Sequence, residues 1–259
     1  MSRLIRQAHY ASKIAPFDIC AIADVGDAPV HPLDVDASLA SIRDFIETIR
    51  LAGARPLAVG GDHTITLPVL RSLATDGPVG LLQLDAHSDT QDSMLGQQYA
   101  NGTPIRRAIE EGLVDPTRVV QIGVRGTLFS ADELDWALAQ GVTIVTIDDY
   151  YDLGLRAVVA QALRVIGSRP AYLTLDIDVL DPAFAPGTGG LEPGGMTVRE
   201  VQLLIRAMAG LNLLGADITE VSPPLDPTGN TALVACNLMF ELLCLMAAGT
   251  AGKTETSGA

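Results

Sequence analysis

Short apolar runs alternate along the chain with longer stretches whose apolar residues recur every three or four positions. The runs predict strands over 18–25, 56–61, 79–85, 118–124, 142–148, 171–178 and 211–221. Several lack the in–out alternation of a half-exposed strand, so both of their faces are expected to be covered. Over 36–53, Leu39, Ile42, Ile46 and Ile49 form one apolar stripe of a helix. Over 197–210, a Thr197-x-x-Glu200 capping box starts a second helix that Gly210 ends. Strand–helix alternation with no internal repeat and no linker predicts a single α/β domain over 1–249. It would have three layers, a mostly parallel central sheet with helices on both faces. Residues 250–259 are small and polar and read as a flexible tail.

Composition narrows the class. At 48% hydrophobic residues the 259-residue chain is globular and not disordered. No apolar run reaches the roughly 18–20 residues of a membrane span. The longest, "TALVACNLMFELLCLMAAG", is broken by Asn237 and Glu241 and reads as a buried helix with one polar edge. The start, "MSRLIRQAHY", has no signal-peptide core. Cys20, Cys236 and Cys244 lie in apolar contexts without metal-type spacing, as free thiols of a reducing, cytoplasmic compartment. The net charge is −14, and the 17 Lys and Arg form no dense cluster, which argues against nucleic acid as a partner.

Four polar clusters fall at the carboxyl ends of predicted strands, where open α/β sheets bind ligands. They are Gly60-Gly61-Asp62-His63, Asp85-Ala86-His87-Ser88-Asp89, Asp176-Ile177-Asp178 and Glu220. A Gly-Gly-Asp-His alone reads as a turn and a helix cap. Asp-x-His-x-Asp on one face of a strand end does not, because such groups repel unless a positive charge sits among them. Two divalent ions held by His63, Asp85, His87, Asp89, Asp176 and Asp178 would supply it. Imidazoles and carboxylates without a thiolate disfavour structural zinc and suit Mn²⁺, with Ni²⁺ or Co²⁺ as alternatives. Paired metals acidify a bridging water, which points to hydrolysis. The clusters hold no Arg or Lys for a phosphate, whereas Glu220 adds negative charge that favours a cation such as a guanidinium.

The stretches "GGDHT", "DAHSD", "DIDVLDPAFAPGTGGLEPGG" and "DITEVSPPLDPTGNTALVACNLMFELL" together resemble the ureohydrolases. This is the arginase/agmatinase family, its agmatinase-like branch in particular, and the resemblance covers residues 55 to 247. It implies the arginase fold, a trimer or hexamer, and cleavage of agmatine or a related guanidino amine or acid to urea and an amine by a hydroxide bridging two Mn²⁺. It also implies that His63, Asp85, Asp89 and Asp176 hold one ion and that Asp85, His87, Asp176 and Asp178 hold the other. Asp85 and Asp176 would bridge, and Glu220 would hold the guanidinium. Asp89, Glu220 and Asn101 are the catalytic candidates.

Two features depart from the family pattern. Asn101 stands where a proton-relaying histidine is usual, and an amide does not titrate. The strand and Gly-rich loop with which members begin have no counterpart before "SRLIRQAHYAS". Both favour a second reading, a catalytically weakened metal-binding partner subunit in a hetero-oligomer with an active relative. Substrate choice falls to the loops 90–102 and 125–133. There Arg125 is placed to meet a carboxylate tail, and Asp92, Asp132 or Glu133 an amine.

Overall fold

A computed structural model describes residues 7–256. Six parallel strands form one sheet: β1 (Leu57–Val59), β2 (Val79–Leu84), β3 (Val114–Val124), β4 (Thr143–Thr146), β5 (Ala171–Asp176) and β6 (Leu213–Thr219). Their spatial order is β1-β6-β5-β2-β3-β4. The helices are α1 (Pro16–Ile19), a single turn, then α2 (Val35–Leu51), α3 (Thr66–Leu73), α4 (Pro104–Glu110) and α5 (Asp135–Gln140). They continue as α6 (Ile147–Leu153), α7 (Leu155–Ile166), α8 (Val198–Ala207) and α9 (Asn230–Thr256).

Two apolar layers sandwich the sheet. Val79 and Leu81 of β2 face Ile42 and Ile46 of α2, Leu70 of α3 and Ile105 of α4. Leu82 and Leu84, pointing the other way, belong to a second buried cluster that also holds Val158 of α7, Leu204 of α8 and Leu238 of α9. All four strand residues are buried, each such side chain contributing roughly 1.5–3 kcal/mol. Burial on both faces is why these strands read as unbroken apolar runs.

The predicted helices occur as α2 and α8. The Thr197–Glu200 box forms in full, each residue's side chain accepting from the other's backbone N–H. Thr146 ends β4 earlier than expected because it caps α6 in the same way with Asp149. The strand expected over 18–25 does not form. After α1 the backbone is irregular, and Ile22 and Val25 are exposed. Apolar residues alone do not make a strand; the ladder needs a partner for each N–H and C=O. Helix α9 runs through the first part of the expected tail, to Thr256, and 257–259 lie outside the described residues. Its stretch 230–249 is long and apolar enough to cross a membrane, and in this fold it packs on α8 and β6.

The topology fixes where a site can lie. From β2 the chain moves outward through β3 and β4, then returns to β5 on the other side of β2. This switch point opens a crevice at the strands' carboxyl ends. The strands that precede the four polar clusters, β1, β6, β5 and β2, are consecutive neighbours there.

Candidate metal centre

Leu84 of β2 pairs with Leu175 of β5, so Asp85 and Asp176 come next to each other at the strand ends. His63 arrives on a short 3-10 turn (His63–Ile65) after β1, capped by Asp62, which accepts from Thr64 N–H. Asp178 sits on a second 3-10 turn (Ile177–Val179) that Asp176 caps.

Two clusters result. His63 Nδ1 lies 2.8 Å from Asp89 Oδ2, 3.0 Å from Asp85 Oδ2 and 3.3 Å from Asp176 Oδ2. His87 Nδ1 lies 3.1 Å from Asp178 Oδ2 and 3.6 Å from Asp85 Oδ1. Asp85 therefore belongs to both, one oxygen turned to each. Backbone amides hold the second oxygens of Asp176 and Asp178. Asp176 Oδ1 accepts from Asp178 N–H, and Asp178 Oδ1 accepts from Ala86 N–H. The fully buried His63 Nδ1 faces three carboxylate oxygens yet makes no hydrogen bond with any of them. A buried polar atom so placed needs a partner, and a cation among the carboxylates provides one. Hard oxygens with one imidazole per cluster suit a first-row divalent ion.

Without that ion the clusters hold protons in its place. Burial disfavours a charged imidazole at His63, but Asp89, Asp176 and Asp85 outweigh it and raise its pKa well above the ordinary range. At His87, Asp178 and Asp85 overcome burial in the same way and push it up to about 12. Burial and then the neighbouring Asp85 raise Asp89 to about 7. Burial, Asp178 and Asp85 raise Asp176 well above a normal carboxyl. Asp85 is lowered, because His63 and His87 outweigh its burial.

The backbone is distorted where the chemistry is expected. Among the described residues, four non-glycine residues have positive φ, and two are Asp89 (φ 54°) and Glu220 (φ 64°). Left-handed backbone is disfavoured for both types and persists where surroundings impose it. The carbonyl of Asp89 accepts from Ile105 and Arg106 N–H at the start of α4, and Glu220 N–H donates to Gly61 O at 2.7 Å. Glu220 Oε1 accepts from His63 N–H at 2.7 Å, and no described residue hydrogen-bonds its Oε2. The loop after the second turn presses closely on the clusters. A Cβ on Gly190 would stand 2.8 Å from His87 Cε1 and 3.0 Å from Asp178 Oδ2.

Arg125, expected at a substrate carboxylate, is committed elsewhere. Its guanidinium donates to the carbonyls of Gly123, Asp178, Val179, Leu180 and Glu192. These contacts engage Nε and both terminal nitrogens, so no donor is left for a ligand. Arg125 instead braces the turn that carries Asp178. Asn101 is exposed on the turn before α4, its neighbour Gly102 tied to Gln91 N–H. The two loops expected to select substrate do meet. Thr90, Gln91 and Asp92 face Phe129, Asp132 and Glu133 across a cleft of about 410 Å³. Asp92 pairs with Arg107, and Glu133 accepts from Gln91 and Phe129, so both acids are engaged. Two contacts to the clusters were not anticipated: Gln83 Nε2 donates to Asp85 at 2.7 Å, and Thr174 Oγ1 lies 2.8 Å from His63 Nε2. Their signal was a polar residue inside an apolar strand, two positions before a clustered Asp and so on its face.

Known proteins share this architecture. The family model described as "Arginase family" matches residues 1–245. A guanidinopropionase of Pseudomonas aeruginosa is 50% identical over 252 residues, 97% of this chain and 79% of the relative. A mitochondrial agmatinase of Gallus gallus is 42% identical over 95% of this chain and 72% of its own. The solved proclavaminate amidino hydrolase of Streptomyces clavuligerus superposes with a TM-score of 0.90 at 38% identity, over 95% of this chain and 82% of that one. With six parallel strands and His and Asp clusters at their carboxyl ends, the chain belongs to the arginase family, in its agmatinase-like branch of guanidino-compound hydrolases.

Proposed function

We propose that the protein hydrolyses a short guanidino acid to urea and an amine, with two Mn²⁺ held by His63, Asp85, His87, Asp89, Asp176 and Asp178. The observation that carries this reading is the unpartnered His63 Nδ1 among three carboxylates, beside a Glu220 with one unengaged oxygen. When bound, a metal pair supplies Lewis acidity that makes water nucleophilic near neutral pH. Glu220, held at Oε1 by His63 N–H, is left to accept guanidinium N–H groups at Oε2 and so orient the carbon for attack. Asp89 is the candidate proton carrier. In the net reaction water oxygen bonds to the guanidinium carbon, the C–N bond to the tail breaks, and both water protons leave on the amine as an ammonium, with neutral urea as the other product. An acid substrate, in preference to agmatine, is supported by the greater likeness to the guanidinopropionase than to the agmatinase. A cytoplasmic homo-trimer or hexamer belongs to the same reading, supported by the free thiols and the family resemblance.

The test is urea release by the purified chain loaded with Mn²⁺, and separately with Ni²⁺. The panel is guanidinopropionate, guanidinobutyrate, agmatine and arginine. Guanidinopropionate with Mn²⁺ is expected to give the highest kcat/KM. Faster turnover of agmatine would overturn the acid assignment, and no urea from any compound with metal bound would overturn the hydrolase.

A further inference from the structure

Beneath the clusters lies a row of polar residues that the proposed reaction does not use. Gln121 of β3, Gln83 of β2, Thr174 of β5 and Asp217 of β6 are aligned in register across four neighbouring strands. All four are completely buried. Carrying polar groups through the middle of a sheet is costly unless each is satisfied. The row therefore asks for a reason.

Its hydrogen bonds have a direction. Asp217 accepts from three hydroxyls: Tyr172 and Thr66, both at 2.8 Å to Oδ2, and Thr174 at 2.5 Å to Oδ1. A threonine hydroxyl has one proton to give, and Thr174 gives it to Asp217. Toward His63 Nε2, 2.8 Å away, Thr174 can then only accept. The ring must carry its proton on Nε2. In the neutral imidazole that leaves Nδ1 as a bare lone pair, the atom that faces Asp85, Asp89 and Asp176 without a hydrogen bond. A second imidazole–hydroxyl arrangement, with Thr174 donating, would put the proton on Nδ1 and block it.

We propose that Asp217, acting through Thr174, is a positioning residue that fixes the tautomer and ring orientation of His63 so that Nδ1 is free to bind a metal ion. The inference rests on the reading that the His63 cluster holds a metal. Tyr172 and Thr66 complete the arrangement by filling the other oxygen of Asp217, which keeps Oδ1 for Thr174 alone. Partners of this kind behind a ligating histidine typically change metal affinity about 10–100-fold when removed.

Three variants separate the tautomer role from a packing role: Thr174→Val, equal in shape but without the hydroxyl, Thr174→Ser, which restores it, and Asp217→Asn. The first readout is metal content and affinity by equilibrium dialysis with elemental analysis, using Mn²⁺. The second is the imidazole ¹H–¹⁵N correlation of the Zn²⁺-loaded protein with labelled histidine, tractable because the chain has four histidines. The wild type is expected to bind two ions and to show a proton on His63 Nε2. Thr174→Val should weaken one of the two ions about 10–100-fold and expose the Nε2 proton to exchange, while Thr174→Ser recovers both. Should Asp217→Asn fail to fold, the threonine pair still decides. A Thr174→Val protein with wild-type affinity at both sites, or a wild-type His63 protonated on Nδ1 with metal bound, would overturn the inference. A wild type that binds no metal would instead overturn the reading on which it rests.

Discussion

Asp89 combines two costs in one residue. Its backbone is left-handed, and its carboxyl is buried against Asp85. In the metal-free protein it keeps its proton up to about pH 7, well above the range of an ordinary aspartate. An acid raised on folding favours the folded state below its unfolded pKa and loses that contribution as pH climbs through the folded one. The chelated protein is therefore expected to lose thermal stability progressively as pH rises from the ordinary carboxylate range to about 7. Asp89→Asn removes the titrating proton and suits the backbone, since Asn tolerates left-handed φ. Its metal-free form should show a smaller fall in Tm over that range, and its metal affinity should drop. Equal falls in variant and parent would mean that Asp89 does not carry this dependence. Asp89 and its spacing could be seen in the sequence; its φ could not, because it is imposed by amides of α4 sixteen and seventeen positions on. Arg125 was hidden for a related reason. Four of the five carbonyls it braces belong to residues 178–192, far along the chain, and nothing in "RGTLF" reveals them.

Among elements, the strands supply alignment and the loops after them supply closeness. Register puts Asp85 beside Asp176, and a 3-10 turn then brings Asp178 back toward His87. The loop holding Gly190 closes over this second cluster at a distance that admits no side chain beyond hydrogen. Gly190→Ala should displace His87 and lower metal content from two ions toward one. The protein's Tm without metal should change little, because Gly190 lies outside the helices and strands. Full occupancy in the variant would show that the loop yields. Of the elements themselves, the strands buried on both faces were plain in the sequence, since a short unbroken apolar run is stable only where packing covers it from either side. The segment 18–25 has the same apolar character but pairs with no strand among the described residues, and pairing is what a single sequence does not display. Asp217 was hidden in the opposite way: inside "LLGADIT" it reads as the one flaw in a strand, and only its alignment with Thr174 gives it a role.

At the scale of the molecule, the centre joins the two ends of the sheet-forming chain. His63 follows β1, Glu220 follows β6, and these strands pair with each other, Leu57 beside Ala216. No shorter piece of the chain brings those groups together. The consequence concerns time. Contacts so distant in sequence close late, after the intervening strands and helices have collapsed. An ion that needs the finished centre cannot guide the early steps; it can only latch the product. Mn²⁺ should therefore leave the refolding rate nearly unchanged and slow unfolding, the pattern of an interaction absent from the transition state. Stopped-flow refolding and unfolding with and without the ion would show it. An accelerated refolding limb would mean that His63 and its carboxylates meet before the sheet is complete. On a ribosome the same ordering makes the nascent chain unable to assemble the full centre until Glu220 has emerged, so the apoprotein's own packing must carry it to that point unaided.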